Sequence, residues 1–407
     1  MNLLNLKINL LRYGVNFKPI TLFNTIDSNK YKMKFLNKNP TKVNGKVFDL
    51  SNQKDLIPSE VLLTYKNNRS ITKLRYNDKS PITISLLDNN QLRLIVDKNE
   101  VDAKCELVKI EEYLNKNIPE ELTSKSAKIK DYVSIVGLNR VTILLFDGCY
   151  NWLVGENCKF CDLHPVRKSD NVIRPTINDL CCYASVDEWW DKQKDEYLKC
   201  LEYSLKRVLE SMEEIPQLFF MAGNLKNSEQ TWRIALDVIE YLSKYIDLKN
   251  YITYLNVAPH YDLKYLKRIK EMGIRYVQYN LELSTKKLFT EYCPGKLDYD
   301  LFYNKLIEAT KIMGKGFVRS NFVLGLEDTD ALIKFADEIG NKGVVVDYSI
   351  FQPKKGTPLF NHPVIDFDKI LDFSNKLCKV YKKYNFKPIF TSISSRSSIM
   401  NELYWEM

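Results

Sequence analysis

A chain of 407 residues, 45% of them hydrophobic, can bury one large core and a second, smaller one, so its nine cysteines are not needed as disulfide staples. The net charge of +9, from 60 Lys+Arg against 51 Asp+Glu, is spread along the chain and reads as a solvated lysine-rich surface before it reads as a nucleic-acid footprint. No charged-then-apolar leader and no run of about 18 apolar residues is present, which argues against a membrane span and predicts a cytoplasmic protein whose clustered cysteines are metal ligands or catalytic thiols.

The first 130 residues alternate apolar with polar positions in "SITKLRY", "ITISLLDNNQLRLIV" and "CELVKI", and Asp88, Asn89 and Asn90 supply turn chemistry between two of these runs. A small β-rich N-terminal domain over residues 1–130 is expected, followed by the polar connector "EELTSKSAKIKD". From residue 131 to 392, short apolar runs alternate with longer amphipathic ones. "RVTILLF" precedes "DEWWDKQKDEYLKCLEYSLKRVLESM"; "PQLFFMA" precedes "SEQTWRIALDVIEYLSKYI"; "YITYLNV" precedes "DLKYLKRIKEMG". "RYVQYNL", "FVRSNFVLG" and "VVVDYSIF" are likewise each followed by a helical pattern. Six such units predict an α/β fold, a full or partial (β/α)6 TIM-type barrel. Residues 393–407 form a tail.

The first strand of the predicted barrel is followed by "DGCYNWLVGENCKFCDLHP", which places Cys149, Cys158 and Cys161 in thirteen positions. A loop after a barrel strand lies at the C-terminal face, where such barrels do their chemistry. Three thiolates can hold three irons of a [4Fe–4S] cluster and leave the fourth open, with Phe160 between two of them as a shield. A Cys3His zinc site that uses His164 is the alternative. The other cysteines, Cys105, Cys181, Cys182, Cys200, Cys293 and Cys378, show no C-x2-C pairing, so no second cluster is expected.

The loop resembles the cluster loop of radical SAM enzymes, whose usual spacing is C-x3-C-x2-C with an aromatic residue before the last cysteine. Here eight residues separate Cys149 from Cys158, an expansion similar to that of certain 7-carboxy-7-deazaguanine synthases. Later strand ends resemble the family's S-adenosylmethionine-binding elements in order. "FFMAGN" is similar to its glycine-rich turn, which implies backbone contacts to the methionine amine from Ala222, Gly223 and Asn224. "YNLELS" is similar to the Asn-Leu-Asp and Asn-Leu-Glu elements of biotin and lipoyl synthase, which implies Asn280 and Glu282 at the ribose hydroxyls. The two residues alternate with Leu281, so both would point one way from a strand. "NFVLGLED" resembles G-x-I-x-G-x-x-E without its first glycine, which implies adenine contacts around Val323, Leu324 and Gly325. Arg319 would then pair with the methionine carboxylate. "FQPKKGTPL" is similar to a Gly-Thr-Pro turn of biotin synthase relatives, where Gly356 and Pro358 would shape the turn and Lys354 and Lys355 would face an anionic group. "SRSS", Ser395 to Ser398, resembles the serine-containing tail of lipoyl synthase.

The resemblance implies two cofactors, a [4Fe–4S] cluster and S-adenosylmethionine, whose reductive cleavage gives a 5′-deoxyadenosyl radical. It implies a buried small-molecule or peptide substrate in a biosynthetic pathway and a one-electron donor such as flavodoxin or ferredoxin. Tyr150, Trp152, Trp189 and Trp190 are candidates for a lid that excludes water. An RNA substrate and a non-catalytic zinc or iron–sulfur regulator are the alternatives; the N-terminal region lacks the aromatic and basic interleaving of RNA-binding modules.

Overall fold

A computed structural model describes residues 2–35, 42–43, 46–47, 55–161, 186–354 and 357–407. The chain forms two compact units. One comprises Met1–Glu111, Val323–Lys334 and Tyr348–Met407; the other comprises Glu112–Phe322 and Phe335–Asp347. His164, Cys181, Cys182, Lys355 and Gly356 lie outside the described residues.

In the first unit, the alternating runs pair into a largely antiparallel sheet. Its strands follow the order Asn16–Phe17, Ile82–Leu86, Leu92–Val96, Lys104–Leu107, Glu60–Tyr65 and Asn68–Lys73. Asp88, Asn89 and Asn90 make the expected hairpin connection, and Asn90 takes the left-handed conformation at φ 60°. The helix Leu3–Tyr13, which the alternation pattern did not reveal, shares a core with the sheet: Leu3, Leu6 and Leu10 join Val61, Leu63, Ile82 and Ile84. The outer edge of Asn68–Lys73 is covered from the other end of the chain, because Ile71 N–H donates to the Ser392 carbonyl and Lys73 N–H to that of Arg396, both at 3.0 Å. Covering an edge in this way satisfies backbone groups that would otherwise be open to a second strand.

Buried charges join the same segments. Glu60 accepts from Lys32 at 3.0 Å and from Arg396 at 2.9 Å; burial opposes its ionisation, but the two cations outweigh it and hold its carboxyl at about 2. Lys7 Nζ meets Glu402 Oε1 at 2.6 Å and also donates to the Ser395 carbonyl. Ser395 and Ser398 share a hydrogen bond at 3.1 Å. Arg396, Ser395 and Ser398 of the "SRSS" motif are thus held by contacts within this unit.

The second unit is built on the sheet β1 (Val133–Val136), β2 (Arg140–Leu144), β3 (Gln217–Met221), β4 (Ile252–Asn256), β5 (Tyr276–Gln278), β6 (Val318–Leu324) and β7 (Val344–Ile350), in that order. The last residues of β6 and β7 belong to the first unit. β2 through β6 pair in parallel, and β1 is an antiparallel addition that the sequence pattern did not show. The six predicted strand runs are all present, with helices Val186–Ser211, Ser228–Ser243, Lys264–Glu271, Tyr299–Met313, Thr329–Asn341 and Phe367–Lys383 after them. The fold is mixed α/β. Among the described residues the strand order does not close on itself, so the full-barrel form of the expectation is not found.

The register explains how one end of the sheet becomes a site. Leu144, Met221, Asn256, Gln278 and Arg319 form a single row across β2 to β6, so the loops that leave these strands start at one level. One face of the strands is apolar and buried, with Val141, Ile143, Leu218, Phe220, Leu255 and Val277. The opposite face carries Arg140, Gln217, Tyr254, Gln278 and Arg319, the period-2 consequence of the pleat. Helix Ser228–Ser243 shows why the covering elements form where they do. Asn227 caps its first turn by accepting from Glu229 N–H, and Trp232, Ala235, Ile239 and Leu242 recur at helical spacing on its buried side.

Candidate functional site

The loop after β2 and the turn after β3 are packed against one another. Tyr150 N–H donates to the Asn224 carbonyl at 2.7 Å, and Asn224 N–H donates to Cys149 Sγ at 3.4 Å. Gly223 permits this approach: a Cβ there would stand 2.2 Å from the Gly148 carbonyl oxygen and 2.8 Å from Cys149 Cβ. Cys161 N–H closes a tight turn on the Cys158 carbonyl at 2.9 Å, which brings those two residues close, as the short C-K-F-C spacing requires.

A second partner of the cysteine loop comes from far along the chain. Lys159 N–H donates to the Tyr292 carbonyl at 2.8 Å, and Gly295 N–H donates to the Glu156 carbonyl at 3.0 Å. These two bonds bracket Cys158 on one segment and Cys293 on the other, and Cys293 acts on the Cys158 thiol. Gly295 has no room for a side chain, since a Cβ would lie 2.6 Å from the Glu156 oxygen and 2.7 Å from Asn151 Cγ. The contact with Cys293 and burial push the Cys158 thiol well above its ordinary range. Burial raises Cys149 as well, against the hydrogen bonds from Asn224 and Asn151 that favour its thiolate.

The strand β5 ends at Gln278, so Asn280 and Glu282 are not placed by strand alternation. Glu282 adopts φ 70°, an uncommon backbone state for a side-chain-bearing residue, and forms an isolated bridge with Phe322. Its N–H donates to the Asn321 carbonyl at 3.1 Å, and Asn280 Oδ1 accepts from Asn321 N–H at 3.2 Å. Both side chains nevertheless reach the same cavity. Lys296, carried on the Cys293–Lys296 turn, donates to Glu282 Oε1 at 2.8 Å and to the Asn280 carbonyl at 2.6 Å. Burial works to lower the lysine, but Glu282, Cys158 and Cys293 outweigh it, and its pKa is raised.

One cavity of about 180 Å³ joins these parts. Cys149, Cys158 and Cys161 line it together with Ala222, Gly223, Asn224, Asn280 and Glu282. Phe160 and Trp152 also line it, as do Asn256 and Lys296, two polar residues that the sequence reading missed. Asn256 ends β4 within a run read only as strand, and Lys296 follows a Cys-Pro-Gly turn whose only sequence signal is the turn itself. Cys293 was set aside because it has no C-x2-C partner; its partner lies across two loops.

Other candidates lie elsewhere. Arg319 is not among the cavity's lining residues: its guanidinium forms a two-point pair with Asp347, both bonds 2.6 Å. Val323, Leu324 and Gly325 belong to the first unit, where Gly325 at φ 110° packs against Ile365 and Phe351. Lys354 is in that unit too, with its carbonyl accepting from Thr357. Trp189 and Trp190 are buried, Trp190 bonded to Asp237 at 2.7 Å, and Tyr150 contributes its backbone N–H to the Asn224 contact.

The donor set suits an iron–sulfur cluster and a nucleoside-bearing cofactor. Soft thiols line the cavity together with small residues, amides and a carboxylate. Among the described residues no three His, Cys, Asp or Glu side chains converge closely enough for a single metal ion; a cubane cluster takes one thiolate per iron and does not ask its ligands to meet at a point.

No family model matches the chain. A bacteriochlorophyllide c C-7(1)-hydroxylase of Chlorobaculum limnaeum is 31% identical over 133 residues, 32% of this chain and 33% of that protein, so the chain matches about a third of the length of this curated relative. Solved structures similar to the chain include methylornithine synthase (TM-score 0.39, 14% identity, 63% of this chain and 66% of the other). They also include the hydrogenase maturase HydG of Carboxydothermus hydrogenoformans (0.39, 16%, 63% and 54%). A third is the Escherichia coli coproporphyrinogen III oxidase HemN, a radical SAM enzyme (0.39, 11%, 68% and 59%). The cysteine loop is joined at Gly223 to the turn after β3 and at Gly295 to the Cys293–Lys296 turn.

Proposed function

We propose that this chain is a radical SAM enzyme that holds a [4Fe–4S] cluster through Cys149, Cys158 and Cys161, cleaves S-adenosylmethionine reductively, and abstracts hydrogen from a small-molecule or peptide substrate in a cytoplasmic biosynthetic pathway. The observation that carries this reading is the meeting of the three cysteines with Ala222 to Asn224, Asn280 and Glu282 on one cavity. When bound, the cluster supplies the electron that breaks the sulfonium bond of S-adenosylmethionine to give methionine and a 5′-deoxyadenosyl radical.

The residues have distinct tasks in this reading. The Ala222–Asn224 turn offers backbone groups to the methionine end of the cofactor, and Glu282 and Asn280 receive the ribose hydroxyls. Phe160 and Trp152 keep water from the cavity. Burial raises the Cys149 thiol, and the contact with Cys293 together with burial raises Cys158, so cluster assembly releases their protons. The domain that does this work is the partial barrel of residues 131–392, and the electron comes from a one-electron donor of the flavodoxin or ferredoxin class. Among the described residues no helix is long and apolar enough to cross a membrane.

The test needs no knowledge of the substrate. Reconstituted protein, treated anaerobically with a strong one-electron reductant and S-adenosylmethionine, should form 5′-deoxyadenosine slowly, as read by chromatography. If none forms, and S-adenosylmethionine also leaves the spectrum of the reduced cluster unchanged, the reading is wrong.

A further inference from the structure

The proposed cluster thiols share their cavity with a cation that no element of the sequence reading assigned. Lys296 Nζ is bonded to Glu282 Oε1 at 2.8 Å and to the Asn280 carbonyl at 2.6 Å, and its side chain is 12% exposed. It cannot drift from the cysteines without unfolding its own turn. Two backbone bonds fasten residues 292–295 to residues 156–159, and the Gly295 contact leaves no space between the Cys293–Lys296 turn and Asn151. The ammonium lines the same cavity as Cys149, Cys158 and Cys161, where a positive charge favours added negative charge. Glu282, the other half of the ion pair, lines that cavity too and works in the opposite direction. A fixed positive and a fixed negative group are therefore mounted on the wall of one small cavity.

We infer that Lys296 is a positioning residue of the radical chemistry: its charge, fixed to the cysteine loop, favours the reduced cluster, while Glu282 opposes it. The inference rests on the cluster reading above. The step concerned is the uptake of one electron from a one-electron donor, which makes the cluster more negative by one charge. A nearby ammonium stabilises that product over the oxidised form, and a carboxylate destabilises it.

The experiment is an anaerobic redox titration of reconstituted protein, with the reduced cluster read by electron paramagnetic resonance and iron counted in each sample. Lys296→Met should lower the midpoint, giving about a tenfold smaller ratio of reduced to oxidised cluster at a fixed ambient potential, equivalent to ~59 mV for one electron. Lys296→Arg keeps the charge and should stay near the wild type. Glu282→Gln should move the midpoint the opposite way. A lysine that merely shapes the turn would not give opposite signs in the two partners. The inference is overturned if Lys296→Met leaves the midpoint in place, if Lys296→Arg moves it as far as Lys296→Met, or if the Glu282 and Lys296 variants shift it together. Loss of iron from both lysine variants also overturns it. Should Lys296→Met alone fail to hold iron, a raised midpoint in Glu282→Gln with an unmoved Lys296→Arg supports the inference, and any other pair of results overturns it. If the wild-type protein itself binds no iron, the proposed function has failed, and the inference fails with it.

Discussion

Each unit of the molecule holds a lysine–glutamate pair away from bulk water, and the two pairs are built for different ends. Lys7 and Glu402 meet at 2.6 Å with side chains 0% and 1% exposed, closed in by Ser70 and the Ser395 carbonyl. Lys296 and Glu282 meet at 2.8 Å with side chains 12% and 11% exposed, on the wall of a cavity. Burial dominates at the first pair and lowers the Lys7 pKa despite Glu402. At the second, the additional acidic neighbours win and the Lys296 pKa is raised. A sealed pair has surrendered its hydration and is tolerable only while both partners stay in place. A pair on a cavity wall, with acceptors to spare, can exchange a partner for a ligand. The same two residue types are thus sealed in one unit and open to a cavity in the other.

The contrast breaks first, and most completely, at the thiols beside the second pair. Changing Cys149, Cys158 and Cys161 together to Ala should abolish almost all bound iron after anaerobic reconstitution, from about four irons per chain to essentially none. Iron and sulfide analysis decides it. Four irons retained by the triple variant would leave Lys296 and Glu282 beside an ordinary cavity.

The sealed pair predicts the next largest effect, and on stability alone. Lys7→Met leaves Glu402 buried without its cation, with Oε2 already lacking a hydrogen-bond partner among the described residues, and should cost ~3–5 kcal/mol. Adding Glu402→Met should recover most of that loss, because the uncompensated charge is gone. Denaturant midpoints at constant slope measure both. Iron content of the folded fraction should not change. If Lys7→Met is no less stable than the wild type, the pair is not the buried clamp between the two ends of the chain that its geometry describes.

What could be read in the sequence follows the range of the interactions. Hydrophobic period and turn residues act within a few positions, and they located all six strand runs of the α/β sheet and the Asp88–Asn90 hairpin. Motif order singled out Cys149, Cys158, Cys161, Gly223, Asn280 and Glu282, and these line one cavity. What escaped depends on pairing between distant segments. Cys293 lies opposite Cys158 only because two loops cross-bond, and Lys296 reaches Glu282 only because a Pro-Gly turn fits under Asn151. Arg319 had the chemistry for a carboxylate, and it has one, but from Asp347 in the neighbouring strand run; nothing in the spacing from 319 to 347 signals that preference. Glu282 lines the cavity, but not by the strand alternation expected of it. Strand alternation would aim it, yet the strand has ended at Gln278 and a left-handed backbone at Glu282 does the aiming.

That backbone makes Glu282 the finest test of the comparison. In the proposed site its carboxylate takes two ribose hydroxyls in a partly dry cavity, so Glu282→Ala leaves those hydroxyls unpaired and Lys296 with the Asn280 carbonyl in place of its counter-ion. The expected cost is ~1–3 kcal/mol of S-adenosylmethionine binding, up to about a hundredfold in affinity. Alanine keeps a Cβ at the same positive φ and neither relieves nor adds much backbone strain, so the denaturant midpoint should move far less than Lys7→Met moves it. Glu282→Gln, which can still accept from one hydroxyl, should fall between alanine and the wild type in affinity. Calorimetric titration of the reconstituted protein with S-adenosylmethionine, set beside the denaturation curves, reads both quantities. Unchanged affinity in Glu282→Ala would remove the carboxylate from the cofactor site. A loss of stability as large as that of Lys7→Met would make the cavity pair structural after all and erase the distinction between the two.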